Sequence, residues 1–139
     1  MGRMWTRSHK WAMFRNMVTS LIYHERIMTT TARAKQLAPL AEKMITHAKK
    51  GTLAHKRLAG AVVREPGAMV KLFEILGPRY NEREGGYTRV MKLAKSRQGD
   101  SSDMSFIEFV DREGELRKPK PPSRSNSHTS TIEEIGEVP

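Results

Sequence analysis

Outside residues 26–30, apolar side chains recur every three or four residues up to Leu76 and every second residue beyond Tyr87, a change of period that calls for mainly helix first and strands after. Trp11, Phe14, Val18, Leu21 and Ile22, with Met17 beside them, form the apolar stripe of a first helix that Ser8 can cap; Lys10, Arg15 and Asn16 occupy its other face. Residues 26–30, Arg-Ile-Met-Thr-Thr, are rich in β-branched types and predict a strand. A second helix is expected from Thr31 to Lys50, with Leu37, Leu40, Met44, Ile45 and Ala48 inward and Gly51 as its stop; Pro39 should kink it or mark a new start.

A third helix begins at Thr52 and uses Leu53, Leu58, Ala61 and Val62. A fourth runs from Gly67 to Leu76 with Val70, Phe73 and Leu76 inward, stopped by Gly77-Pro78. Then Tyr87 to Lys95 alternates as Tyr87, Arg89, Met91 and Leu93, and Met104 to Asp111 alternates around Ile107 and Phe109. The intervening Arg97-Gln-Gly-Asp-Ser-Ser-Asp103 is turn chemistry, so the two strands should close an antiparallel hairpin. The expected fold is α+β: about four helices on a small two- to three-stranded sheet with a C-terminal hairpin. The expected organisation is a basic arm (1–8), one domain (9–117) and a polar, Pro- and Ser-rich tail (118–139) that lacks the apolar content to order itself.

Charge narrows the function. Residues 1–99 carry 20 Lys and Arg against 6 Asp and Glu, whereas the remainder is net acidic, within an overall charge of +10. Such a first part draws a polyanion, because lysines and arginines that neutralise phosphates release condensed counterions. There is no cysteine, which excludes disulfides, thiolate nucleophiles and cysteine-based metal sites. No apolar run is long enough to span a bilayer, and no secretory signal is recognisable. His24-Glu25 begins like a zinc-protease helix motif, but the second histidine would fall at Met28. The five histidines share no metal-binding spacing and no glycine pattern matches a phosphate-binding loop, so neither catalysis, metal nor cofactor is expected.

The binding candidates are basic residues at element starts. Arg3, Arg7, His9, Lys10, Arg15 and Asn16 belong to the arm and first helix; Arg26, Thr29, Thr30, Arg33 and Lys35 belong to the strand and the helix after it. Unpaired amides and the positive dipole at a helix start suit phosphates. In the stretch from Gly77 to Arg89, Arg79, Arg83 and Arg89 offer phosphate forks, Gly85 and Gly86 permit close backbone approach, and Tyr87 and Thr88 lead into the strand. This stretch reads equally as an RNA-contacting loop or as a structural turn with its tyrosines in the core.

Several motifs in one order also carry a resemblance: Ala12-Met-Phe-Arg-Asn-Met-Val-Thr-Ser-Leu-Ile22, His24-Glu-Arg-Ile27, Ala41-Glu-Lys-Met-Ile-Thr46, Gly85-Gly-Tyr-Thr-Arg89 and Ile107-Glu-Phe-Val-Asp-Arg112. Over residues 9–112 the chain resembles bacterial-type ribosomal large-subunit protein seventeen. The resemblance implies a structural role on large-subunit ribosomal RNA near the peptide exit tunnel, beside the thirty-second and twenty-second large-subunit proteins. Relative to that family, the arm before His9 is short, and the tail after Arg117 looks like an organellar extension. That tail favours a mitochondrial ribosome over a plastid or bacterial one. The competing reading from another class is a free-standing DNA- or RNA-binding regulator.

Overall fold

The computed structural model describes residues 6–115, 117 and 118; the expected tail beyond Lys118 and Arg3 of the arm lie outside the described residues. Helix α1 (Arg7–His24) starts two residues earlier than a Ser8 cap would dictate, because Thr6 is the cap: its Oγ1 accepts from the His9 amide. Strand β1 (Arg26–Thr30) and helix α2 (Thr31–Lys50) follow with the expected bounds. Pro39 neither stops nor restarts α2. It lies on the exposed side of the helix, where water can serve the Lys35 carbonyl that a proline leaves without a donor.

Helix α3 (Leu53–Gly60) is capped by Thr52, but its buried residue is Ala59. Leu53 and Leu58, expected inward, are exposed; eight residues make barely two turns, and the chain buries Val62 and Val63 just after the helix instead. Helix α4 (Pro66–Lys71) widens into a π-helical segment (Leu72–Leu76) and ends in a single turn, α5 (Gly77–Arg79). Gly77-Pro78 is therefore inside the helical run and not its stop. The Gly77 amide bonds back to the Leu72 carbonyl, and this wider turn makes room for the Pro78 ring, which would collide with the preceding turn of a regular α-helix. The buried stripe runs through Ala68, Leu72 and Leu76, and Val70, two residues from both Ala68 and Leu72, faces the other way and is exposed.

Strands β2 (Thr88–Lys92) and β3 (Met104–Phe109) form the expected antiparallel hairpin. Its turn is held by Arg97 Nε donating to Asp100 at 3.0 Å and by Asp100 accepting from the Ser102 amide and hydroxyl. β1 pairs antiparallel with the free side of β3, giving the order β1-β3-β2 among the described residues. Register places Ile27, Ile107 and Val90 in one row toward the helices, and Arg26, Glu108 and Arg89 in the next row on the opposite, outer face. The inward residue of β2 is thus Val90, not the Arg89 and Met91 set that simple alternation from Tyr87 suggests. Tyr87 precedes the strand and turns into the core beside Tyr80, ring centres 5.4 Å apart.

The core lies between the inner sheet face and α2. Val18, Leu21 and Ile22 of α1, Leu37, Met44 and Ile45 of α2, Leu72 and Leu76, and Ile107 and Phe109 are all sealed from solvent. Each such side chain contributes roughly 1.5–3 kcal/mol relative to exposure. Tyr80 is equally buried; its hydroxyl donates to the Val110 carbonyl, and burial pushes its pKa up to about 12. That bond ties the end of the helical run to the end of β3.

Candidate nucleic-acid interface

The residues singled out as RNA contacts separate into an exposed group and a group already engaged within the protein. Arg7, His9, Lys10 and Asn16 are exposed on α1, and Lys35 is exposed on α2. Lys10 sits 5.9 Å from the Phe14 ring centre, a cation–π position that holds the ammonium over the groove between the two helices. Arg15 is half-buried and donates from Nε to the Val62 carbonyl at 3.3 Å, bracing α1 against the end of α3. Arg33 is half-buried near the start of α2.

The threonines at the β1–α2 junction have structural partners. Thr29 is buried on the inner face, and Thr30 occupies the cap position of α2 without using its hydroxyl as a cap. Thr31 donates from its amide and its hydroxyl to the Asp103 carbonyl, and its Oγ1 lies 2.6 Å from Ser105 Oγ. The start of α2 is thereby fastened to β3.

The arginines beyond α4 behave likewise. Arg79 forks onto Glu25 at 2.6 and 3.3 Å, and Lys71 reaches the same carboxylate at 2.9 Å. Burial would raise the Glu25 pKa, but hydrogen bonds from Arg79 and Lys71 and their charges outweigh it and hold the carboxyl below its usual range. Glu25 is the C-cap of α1 in a left-handed conformation (φ 58°), its amide bonded to the Leu21 carbonyl and its carbonyl accepting from the Phe109 amide. Arg83 meets Asp111 at 3.0 Å. The hydroxyl of Thr88 donates to Glu42, and the Tyr87 hydroxyl donates to the Arg83 carbonyl. Of the candidates in this stretch, Gly85 and Gly86 stand exposed, beside the equally exposed Asn81, Glu82 and Glu84, and Gly86 has a φ of +62°.

On the outer sheet face, Arg26 Nε lies 3.2 Å from Glu108 Oε2, Arg89 3.5 Å from Oε1 and Arg112 3.9 Å from Oε2. Glu108 is fully buried although it points away from the core, because these guanidiniums and the returning chain cover it. Arg26 also donates to the Gly114 carbonyl and Arg89 to that of Arg117. Sequence alternation assigns Glu108 to the outer face correctly; it carries no sign that three arginines converge there. Trp11 departs from expectation in the opposite sense. Expected in the core, it is 47% exposed, at the N-terminal end of α1 beyond the reach of the sheet.

Among the described residues no group of three or more His, Asp or Glu side chains is placed to hold a metal ion, and no helix is long and apolar enough to cross a membrane. What α1 and α2 do present is a surface without acid: there is no Asp or Glu from residue 7 to 24, nor from 31 to 41.

The family model described as Ribosomal protein L17 matches residues 13–110. A relative from Pelobacter propionicus named large ribosomal subunit protein bL17 is 55% identical over 106 residues, covering 76% of this chain and 83% of the relative. Its namesake in Geobacter sulfurreducens is 47% identical over 137 residues, covering 96% of this chain and 78% of its own. That in Trichlorobacter lovleyi is 54% identical over 106 residues, covering 76% and 85%. The α+β fold, the order of its elements and these matches together place the chain in the ribosomal protein L17 family.

Proposed function

We propose that this protein is a structural, non-catalytic constituent of the large ribosomal subunit and holds its ribosomal RNA through the acid-free basic face of α1 and the first half of α2. The observation that carries the reading is that face: Arg7, Lys10 and Lys35 are exposed on it and neither helix places an acid among them, while Arg26, Arg79, Arg83, Arg89 and Arg112 are held by Glu25, Glu108 and Asp111. The names borne by the relatives support the same particle.

The expected binding is electrostatic and salt-dependent. Affinity for a large-subunit RNA fragment should fall steeply with salt, and each of Arg7→Ala, Lys10→Ala and Lys35→Ala should flatten the log–log slope by roughly 0.7–0.9. The triple variant should sediment apart from large subunits. A salt response that is flat from the outset, or co-sedimentation unchanged in the triple variant, overturns this assignment of the face.

Position near the peptide exit tunnel, next to the thirty-second and twenty-second large-subunit proteins, is part of the same proposal and is read by cross-linking in the assembled subunit. For the compartment we favour a bacterial ribosome over a mitochondrial one. The mitochondrial expectation rested on the tail, and the bacterial relative from Geobacter sulfurreducens aligns over nearly the whole chain.

A further inference from the structure

Between the first two turns of α1 and the second turn of α2 lies an open groove of about 900 Å³, lined by Arg7, Lys10, Trp11, Phe14, Gln36 and Leu40. Its composition is unlike that of a second depression, where Glu25, Asp111 and Glu113 face Lys71, Arg79 and Arg112 and charges of both signs meet. Here two cations stand at the rim, aromatic and aliphatic carbon forms the walls, one amide is available for hydrogen bonding, and no acid approaches from either helix. Trp11 is the exposed wall, and its indole, nearly half accessible beside the rim cations, offers an open aromatic face to a partner.

We propose that this groove receives one unpaired nucleotide of the bound RNA, its base stacked on Trp11 and its phosphate held by Arg7 and Lys10. The occupant follows from charge and shape together. A protein helix docking in the groove would need carboxylates to answer the rim cations, and a duplex would meet the cations but has no free base face for the indole. An unstacked nucleotide offers both an anion and a flat π-surface within one residue. Gln36, with a donor and an acceptor on one planar amide, can reach a base edge from the opposite wall. The inference rests on the RNA-binding reading above and adds what that reading leaves open, a preference for single-stranded over duplex RNA at a named residue.

The test uses the full chain carrying Trp5→Phe, so that Trp11 is the one remaining indole. The probes are a single-stranded oligoadenylate of about 23 nucleotides and a blunt RNA duplex of about 12 base pairs, which carry about the same number of phosphates. Oligoadenylate should quench Trp11 emission saturably, and Trp11→Ala in the natural background should weaken its binding by about tenfold or more while leaving duplex affinity within twofold. Trp11→Phe should recover most of the loss. Because the side chain is so exposed, the alanine variant should keep its melting temperature, which thermal unfolding checks directly.

Binding of both RNAs with no quenching, or equal affinities for Trp11→Ala and the parent, refutes the stacking site while leaving the RNA-binding face intact. Equal loss for oligomer and duplex reduces Trp11 to a nonspecific contact and also overturns it. Failure of the parent chain to bind either RNA overturns both this inference and the reading beneath it.

Discussion

Arg89 and Glu108 face each other across β2 and β3 as register partners on the outer side of the sheet, and the carboxylate that Arg89 shares with Arg26 and Arg112 is wholly buried. A carboxylate surrounded in this way stabilises only as a set, since removing one side leaves uncompensated charge. Glu108→Ala should therefore cost about 3–5 kcal/mol by leaving three guanidiniums crowded together. Arg89→Ala leaves two arginines on the carboxylate and removes a long 3.5 Å ion pair and the bond to the Arg117 carbonyl, so it should cost about 1–2 kcal/mol. Denaturant unfolding of both variants measures this. If Arg89→Ala is fully stable yet fails to enter the large subunit, the arginine serves RNA rather than the sheet.

The cap of α1 predicts an acid-sensitive joint. Glu25 has its folded pKa depressed by Arg79 and Lys71 against the opposing effect of burial, so the stabilisation is complete above the ordinary carboxyl value of 4.5 and is lost as pH falls through the lower folded value. Parent and Glu25→Gln should differ in melting temperature at pH 7 and converge in strong acid. A constant gap down to acid would show that the ion pairs contribute nothing.

A separate window belongs to His47 at the C-terminal end of α2. Its Nδ1 lies 2.9 Å from that of His55, and its pKa is lowered by burial first, then by His55, Lys43 and Lys50. The unfolded chain binds the proton more readily, so stability should be full above pH 6.5 and decline as pH drops below it toward the folded value. Thermal unfolding between about pH 7.5 and pH 5.5 should show this decline, and His47→Gln should flatten it; an equal slope in both proteins counts against the pair.

Two glycines should respond differently. A Cβ on Gly77 would stand 3.3 Å from the Ala48 carbonyl oxygen, where backbone of α2 cannot retreat, so Gly77→Ala should destabilise by about 1–3 kcal/mol through overpacking. Gly86 meets nothing within 4 Å, and its cost comes only from the positive φ: about 1 kcal/mol for alanine. Urea midpoints of the two variants decide it, and a neutral Gly77→Ala would mean that the helix contact is loose.

The sequence by itself determined the local elements. Periodicity set α2 and β1 at their observed bounds, the turn residues from Arg97 to Asp103 set the hairpin, and the excess of cations set the polyanionic partner class, because each depends on backbone preference or summed charge over near neighbours. Tertiary structure decided which side chains were left for a partner. Arg26, Arg79 and Arg89 read as RNA contacts in sequence, yet their carboxylates lie 82, 54 and 19 positions away and are brought to them only by the β1-β3-β2 order and the return of the helical run to the end of α1. The same holds for Trp11, Leu53 and Val70, whose spacing fits a buried stripe but which lie near a helix end, on a short helix, or opposite the face that its neighbours bury. Helical phase is written in three or four neighbouring residues; whether anything packs against that phase is set by chain segments far away in sequence.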